Sequence, residues 1–307
     1  MHPMPSLPRA AGKQLRKRKW TPRAASNVLQ SARPLLGTLV SIRIESPGID
    51  CERAMRSAFA AVEAVHWAMS FHERGSELDR LNRDAWHTPQ PVGRDTWRVL
   101  RASLALARAS GGRFDPSIAG RLVRDGFLPA DDGLRWEPDA DWRDIVLGPG
   151  RTVCFRKRLL LDFGGIAKGH AVDAAVRALR AAGVRSATVN AGGDLRVFGD
   201  REQVFRVREP GDPTRSRPLL RLREGAVATS AGYFSERDGR TPLLDPHRDR
   251  SLGQGVSVSV CAPRAIWADA LTKLVLIDDT VTAPLLHRLG ASAVILHADG
   301  RCRRLGA

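Results

Sequence analysis

Residues 162–169 read Asp162-Phe163-Gly164-Gly165-Ile166-Ala167-Lys168-Gly169. A short apolar run, 159–162, leads into this stretch. A helical pattern, 166–182, leads out of it and ends at Gly183. The stretch therefore reads as a strand end, a glycine pair and a helix start. Glycine lets the chain turn and lets a ligand approach the backbone. A helix N-terminus adds free N–H groups and partial positive charge. Lys168 adds a full charge. The spacing is not the GxxxxGK[ST] phosphate loop. Two readings stand side by side: a phosphate-binding turn, or an ordinary tight turn between strand and helix.

Outward from this stretch the element types keep mixing. Strands are expected at 185–190 and 195–198 around Gly192-Gly193, then at 204–208, 218–223 and 226–229. Val256, Val258 and Val260 alternate with Ser257 and Ser259, a half-buried strand. Helices follow at 264–276 and 281–289, and a strand at 292–297. On the N-terminal side, order is expected to begin near Leu36. Thr38, Val40, Ile42 and Ile44 alternate with Leu39, Ser41, Arg43 and Glu45, another strand. Asp50 caps a helix whose apolar stripe runs through Ala54, Ala58, Ala61, Val62, Val65 and Met69. A second helix spans 95–109, ended by Gly111-Gly112, and 129–144 reads as loop. Strands and helices without a regular βαβ period predict an α+β fold, and no internal repeat is visible.

Composition narrows the classes. The chain has 307 residues, 43% of them hydrophobic and 27% charged. That profile excludes a wholly disordered chain. No run of about 18 apolar residues offers a membrane span. The four cysteines are far apart, without a CxxC pair, so no zinc or disulfide framework is expected. Net charge is +16, which invites a nucleic-acid reading. Half of it falls on residues 1–34, which hold eight Lys/Arg and no acid. That segment reads as a basic, disordered tail; the alternative is an arm for an acidic partner, membrane surface or nucleic acid. The body shows no helix-turn-helix, RRM, KH or zinc pattern. No apolar h-region or lipobox follows the basic cluster. A cytoplasmic location is therefore expected, with a periplasmic or membrane-associated one as the alternative.

Three further segments carry polar chemistry. In the 264–276 helix, Asp269, Thr272 and Lys273 stand at i, i+3 and i+4 and share one face. A carboxylate there suits Mg²⁺ completed by water and phosphate, or simply an Asp–Lys ion pair. The others are Met69-Ser70-Phe71-His72 with Ser76-Glu77-Leu78, and Gly112-Arg113-Phe114-Asp115-Pro116. Each alone passes as a loop, and a lone His72 is usually structural or exposed.

Taken together and in order, these segments resemble the ApbE-type FAD:protein FMN transferases, over about residues 35–300. Further matching pieces are Gly37-Thr38, Ala171-Val172-Asp173, Asn190-Ala191-Gly192-Gly193-Asp194, Ala228-Thr229-Ser230, Asp238-Gly239, Leu244-Asp245-Pro246 and Ala268-Asp269-Ala270-Leu271. The resemblance implies an α+β architecture related to the tunnelling fold, with mixed antiparallel sheets, packed helices and a flavin site between lobes. It implies transfer of FMN from FAD to a Thr or Ser of an acceptor flavoprotein, assisted by Mg²⁺, with release of AMP. This chain has no Asp-x-x-Thr-Gly-Ala-Thr-like segment, so the implied acceptor is another protein. The implied FAD contacts are Leu36, His72, Arg113, Phe114, Asp115, Asp162, Lys168, Leu244 and Thr272. The implied metal ligands are the Gly165 carbonyl and the Asp269 carboxylate.

The chain departs from that family at four places. Leu36 stands where the family has Met, and His72 where it has Tyr. Pro242 stands where the family has His three residues before Asp-Pro. Lys273 stands where it has Thr four residues after the metal Asp. His247 is then the candidate to replace the missing His, or else a surface histidine. Asp269 and Lys273 complete the expected catalytic set. The departures also raise an alternative: a protein that binds FAD without transfer, or hydrolyses it to FMN and AMP.

Overall fold

The computed structural model describes residues 28–231, 240–248, 250–252 and 255–306. The first part of the chain runs β1 Val28–Leu35, β2 Thr38–Glu45, α1 Cys51–Met69, α2 Glu77–Asp84, β3 Gln90–Pro91, α3 Arg94–Ala109 and α4 Ala119–Arg124. The middle runs β4 Ile145–Leu147, β5 Thr152–Phe155, α5 Ala167–Ala181, β6 Ala187–Ala191, β7 Asp194–Phe198, β8 Gln203–Glu209 and β9 Asp212–Leu222. The last part runs β10 Gly225–Ala231, β11 Leu244–Asp245, β12 Arg250–Ser251, β13 Val256–Ala262, α6 Ala265–Ile277, α7 Asp279–Arg288, β14 Ser292–His297 and β15 Cys302–Leu305. The fold is α+β, as expected.

Its frame is an eight-stranded sheet in the order β1-β2-β6-β7-β10-β13-β14-β15. Every neighbouring pair is antiparallel. Helix α1 packs on α5, α5 on α6, and α6 on β10 and β13. The core forms where the alternating strand residues meet the helices. Val40, Ile42, Ile44, Val189, Val258 and Val260 are buried with Phe59, Val172 and Leu271. No helix among the described residues is long and apolar enough to cross a membrane.

The expected strands and helices from β2 onward mostly appear within a residue or two of their expected bounds. Three differences have physical causes. Residues 28–34, expected in the tail, form β1, whose strand partner is β2. It is an edge strand with Pro34 near its end, a place where a missing N–H is tolerated. Arg33 on β1 pairs with Glu63 at 2.7 Å and lies over the Phe59 ring. The rest of that tail, and Asp238-Gly239, lie outside the described residues.

The apolar run 159–162 is no strand. Its backbone pairs only briefly, as a single parallel bridge between Leu160 and Ile118, with the Ala119 N–H on the Leu160 carbonyl at 3.2 Å and the Asp162 N–H on the Pro116 carbonyl at 2.8 Å. Asn82 adds a side-chain clamp: its Nδ2 donates to the Leu161 carbonyl at 3.1 Å, and its Oδ1 accepts from the Leu161 N–H at 2.7 Å. The segment 77–84, which passes as a loop in sequence, is helix α2. Ser76 caps it by accepting from the Asp79 N–H.

Candidate active site

Two turns and one helix crossing build the site. At the first turn the Gly164 N–H donates to Asp162 Oδ2 at 2.9 Å, and helix α5 starts immediately afterwards. Lys168 therefore sits in the first turn of α5. At the second turn, Gly192 and Gly193 take φ values of 63° and 102° between β6 and β7. The Asn190 side chain accepts from the Gly193 N–H at 2.9 Å. This turn delivers Asp194. Lys168 Nζ donates to Asp194 Oδ2 at 2.5 Å.

The helix crossing brings in Asp269. Gly169 lies against α6 so closely that a Cβ there would stand 2.2 Å from the Ala265 carbonyl oxygen. Only glycine permits that approach. The Gly169 N–H then donates to Asp269 Oδ2 at 2.9 Å. Lys273, one helical turn on, donates to Asp269 Oδ1 and, at 3.1 Å, to the Asp269 carbonyl. Lys168 Nζ is 3.7 Å from the same Oδ1. Two part-exposed ammonium groups and two buried carboxylates thus form one quartet.

Its electrostatics follow from burial and mutual charge. Burial pushes Asp269 up, but Lys168 and Lys273 outweigh it and hold its pKa below the usual carboxylate range. Asp194 goes the other way, raised by burial and by the Asp269 charge against the pull of Lys168. Burial pulls Lys168 down, yet the two carboxylates leave it above the ordinary lysine value.

The two lysines of the quartet line a cleft of about 390 Å³. Met69, Phe114, Leu244 and Leu276 give the same cleft an apolar wall. Such a volume, mostly apolar with a few convergent polar groups, is typical of a small-molecule site. A second cleft of about 660 Å³ shares Lys168, Lys273 and Pro242 and includes Asp194. The two ammonium groups line both clefts.

Of the residues expected to hold FAD, Leu36, His72, Arg113, Phe114, Asp115, Asp162, Lys168 and Leu244 line the first cleft. Leu36 and Gly37 form the two-residue turn between β1 and β2 with φ values of 58° and 68°. A leucine in that left-handed conformation costs about 1–2 kcal/mol, a strain of the kind that clusters at ligand sites. Arg113 is paired with Asp278 at 3.0 Å. Burial raises the pKa of Asp162, against the Gly164 amide that favours its charged form. Asp115 is raised by burial too, although the Ser117 hydroxyl and amide bind it.

Thr272 and His247 are corrections. Thr272 stands one residue before Lys273, about 100° round the helix. Its hydroxyl is buried, 2.6 Å from Ser230 Oγ and donating to the Asp269 carbonyl at 2.7 Å. It lines neither cleft. The His247 N–H donates to Asp245 Oδ1 at 3.0 Å, and its Nε2 lies 3.4 Å from where a Cβ on Gly112 would stand. It lines a separate pocket with Arg121 and Trp136 instead of the cleft that holds the quartet.

The expected Mg²⁺ ligands are a third correction. Asp269 has one oxygen on the Gly169 amide and the other on Lys273, with Lys168 nearby. The Lys273 carbons run 3.9 Å from the point where a Cβ on Gly165 would sit. The lysine side chain therefore runs beside Gly165 to reach Asp269. Among the described residues no cluster of three or more His, Cys, Asp or Glu suits a metal ion. A divalent ion on Asp269 would meet two ammonium groups, so these residues do not fit one.

Sequence reasoning gave no role to Asp194, Asp173 or Ser230, though each lies in a segment it singled out. The glycine pair before Asp194 was the available signal, since it forces a tight turn that aims the next side chain.

Comparison with known proteins adds the following. A model described as the ApbE family matches residues 36–295. An FAD:protein FMN transferase of Treponema pallidum is 29% identical over 318 residues, covering 92% of this chain and 88% of that relative. One of Vibrio cholerae is 27% identical over 259 residues, covering 78% of each. The crystal structure of an ApbE protein from Thermotoga maritima superposes with a TM-score of 0.79 at 26% identity, covering 91% of this chain and 97% of that one.

Proposed function

The chain belongs to the ApbE family, and on that premise we propose that it is an FAD:protein FMN transferase acting on a Thr or Ser of an acceptor flavoprotein. The hydroxyl oxygen attacks the phosphorus on the FMN side of the pyrophosphate. A new phosphoester forms, the bond to the AMP phosphate breaks, and AMP departs with the charge of that bond. The hydroxyl proton passes to water.

Such a reaction asks the protein for positioning and for positive charge on the pyrophosphate. The observation that carries the reading is the Lys168–Lys273 pair in the lining of a mostly apolar cleft. The apolar wall suits the isoalloxazine ring. The ammonium groups suit the pyrophosphate and the leaving AMP. The second cleft, opening on the same two lysines, gives an acceptor segment its own approach. No step of this reading runs through a divalent cation.

Purified protein incubated with FAD and an acceptor flavoprotein is expected to release AMP and acceptor-bound FMN in equal amounts, read by chromatography. A second reading is favoured by Pro242, which lines the cleft where it carries no titratable proton. In that reading water replaces the hydroxyl. AMP with free FMN, and no acceptor adduct, would support it.

A further inference from the structure

Lys273 occupies the place where the site has its strongest need of positive charge. An ammonium group has three N–H donors and no acceptor. Lys273 spends one on Asp269 Oδ1 and one on the Asp269 carbonyl. The third is left for a ligand, and the side chain lines both clefts. Its partner carboxylate is fully buried and held from behind by the Gly169 amide, so the lysine head is fixed rather than swinging. With Lys168 on Asp194, the quartet balances at two positive and two negative charges. Within the quartet neither carboxylate is left without an ammonium partner. Magnesium binds at about 2.0–2.1 Å from its oxygens and demands near-octahedral space. The Lys273 ammonium already fills that space on Asp269.

We infer that Lys273 is the resident counter-charge of this site: its ammonium takes the position of a divalent cation and binds a pyrophosphate oxygen of FAD, so that FAD binding needs no metal. The inference rests on the FAD reading of the cleft and deepens it. It changes the electrostatics in a definite way. A single charge on a tether replaces a double charge that must be recruited from solution. Occupancy then depends neither on metal concentration nor on the metal's own dehydration.

The test is FAD binding by flavin fluorescence, with the full chain, in EDTA and in excess Mg²⁺. Manganese titrated alone and followed by electron paramagnetic resonance is a second readout. Wild type is expected to bind FAD equally in both conditions, within about twofold, and to leave Mn²⁺ free in solution. Lys273→Thr is expected to lose about 10- to 100-fold in FAD affinity in EDTA, the worth of a hydrogen bond to a charged group. Mg²⁺ should restore much of that loss, and the variant should now bind Mn²⁺. Wild type that binds FAD only with Mg²⁺ would overturn the inference while leaving the FAD reading intact. A folded Lys273→Thr protein that binds FAD in EDTA as wild type does would overturn it as well. Wild type with no FAD affinity in either condition would remove the functional reading, and the inference with it. The wild-type arms stand without the variant if Lys273→Thr does not fold.

Discussion

Two buried aspartates face each other across the α5–α6 contact, and they are handled in opposite ways. Asp173 on α5 accepts from the Ala265 and Ile266 amides at 3.1 and 3.2 Å, the first two residues of α6. Arg196 donates to it at 2.6 Å and Arg264 lies at 3.4 Å. Asp269 on α6 takes one amide from α5 and two lysines. Asp173 lines neither cleft. Asp269 lies behind two ammonium groups that line both. The planar, multi-donor guanidinium locks a carboxylate into the frame. The lysine head keeps a donor to spare. The same interface thus carries an arginine-held carboxylate at one end and, beside the clefts, a lysine-held one at the other.

That contrast can be broken from either end. Asp173→Ala is expected to have the largest effect, about 3–5 kcal/mol lost from unfolding free energy, because it leaves buried arginine charge without its partner. FAD affinity of the folded fraction should stay within about twofold of wild type. Chemical denaturation and fluorescence titration together check both halves. Loss of FAD affinity in a folded protein would mean that Asp173 also shapes the site.

Lys168→Met should act in reverse. The rate of AMP release is expected to fall about 10²- to 10³-fold, the usual cost of removing one charge-stabilising donor. The fold should survive, since Asp194 already has a raised pKa and takes up a proton in place of the lost lysine. Steady-state assays and a thermal melt separate the two outcomes.

Gly169→Ala strikes between the two ends. The added Cβ would lie 2.2 Å from the Ala265 carbonyl oxygen, so α5 and α6 must part. An over-packing cost of about 1–3 kcal/mol is expected, with weaker FAD binding as well. A stability loss with unchanged FAD affinity would show that the site tolerates a looser crossing.

The smallest effect belongs to a neighbouring pair. The buried His170, beside Gly169, is hydrogen-bonded to Asp95 at 2.9 Å. That bond holds Asp95 at a pKa of about 2, below its usual value of 3.8. A depressed carboxylate adds stability above its ordinary pKa and loses it as pH falls through the folded one. Asp95→Asn should therefore be less stable than wild type near neutrality, and the gap should close as pH falls to about 2. A gap independent of pH would mean that the charge of Asp95 is not what stabilises.

The contrast also explains what was legible in the sequence. Helices α5 and α6 are buried over most of their length, and β13, expected to be half-buried, buries Ser257 and Ser259 along with Val258 and Val260. Strand β2 carries clear periodicity, because it buries one face. Strand β1 does not, because an edge strand with exposed residues needs no apolar alternation. The run 159–162 reads as a strand because it is buried, yet its pairing stops at one bridge to Ile118. The Asn82 side chain, 79 residues away in sequence, takes up the Leu161 backbone. At the site, local spacing correctly brought Asp269 and Lys273 to one helix face. It left open whether that face held a metal or an ion pair. The answer depends on Lys168, Gly165 and Gly169, which arrive from another helix and its approach loop. Asp173 and Asp269 look alike as sequence letters, and only the partners delivered by the fold distinguish them.

The most direct test of the central claim is the intact mass of an acceptor flavoprotein after incubation with FAD and this protein. Wild type is expected to add one FMN phosphoryl unit to a single Thr or Ser, with one AMP released per adduct. Lys168→Met should add almost none, and Asp173→Ala should still add it while folded. An unmodified acceptor beside wild type, with FAD intact or cleaved only to free FMN, would contradict the account.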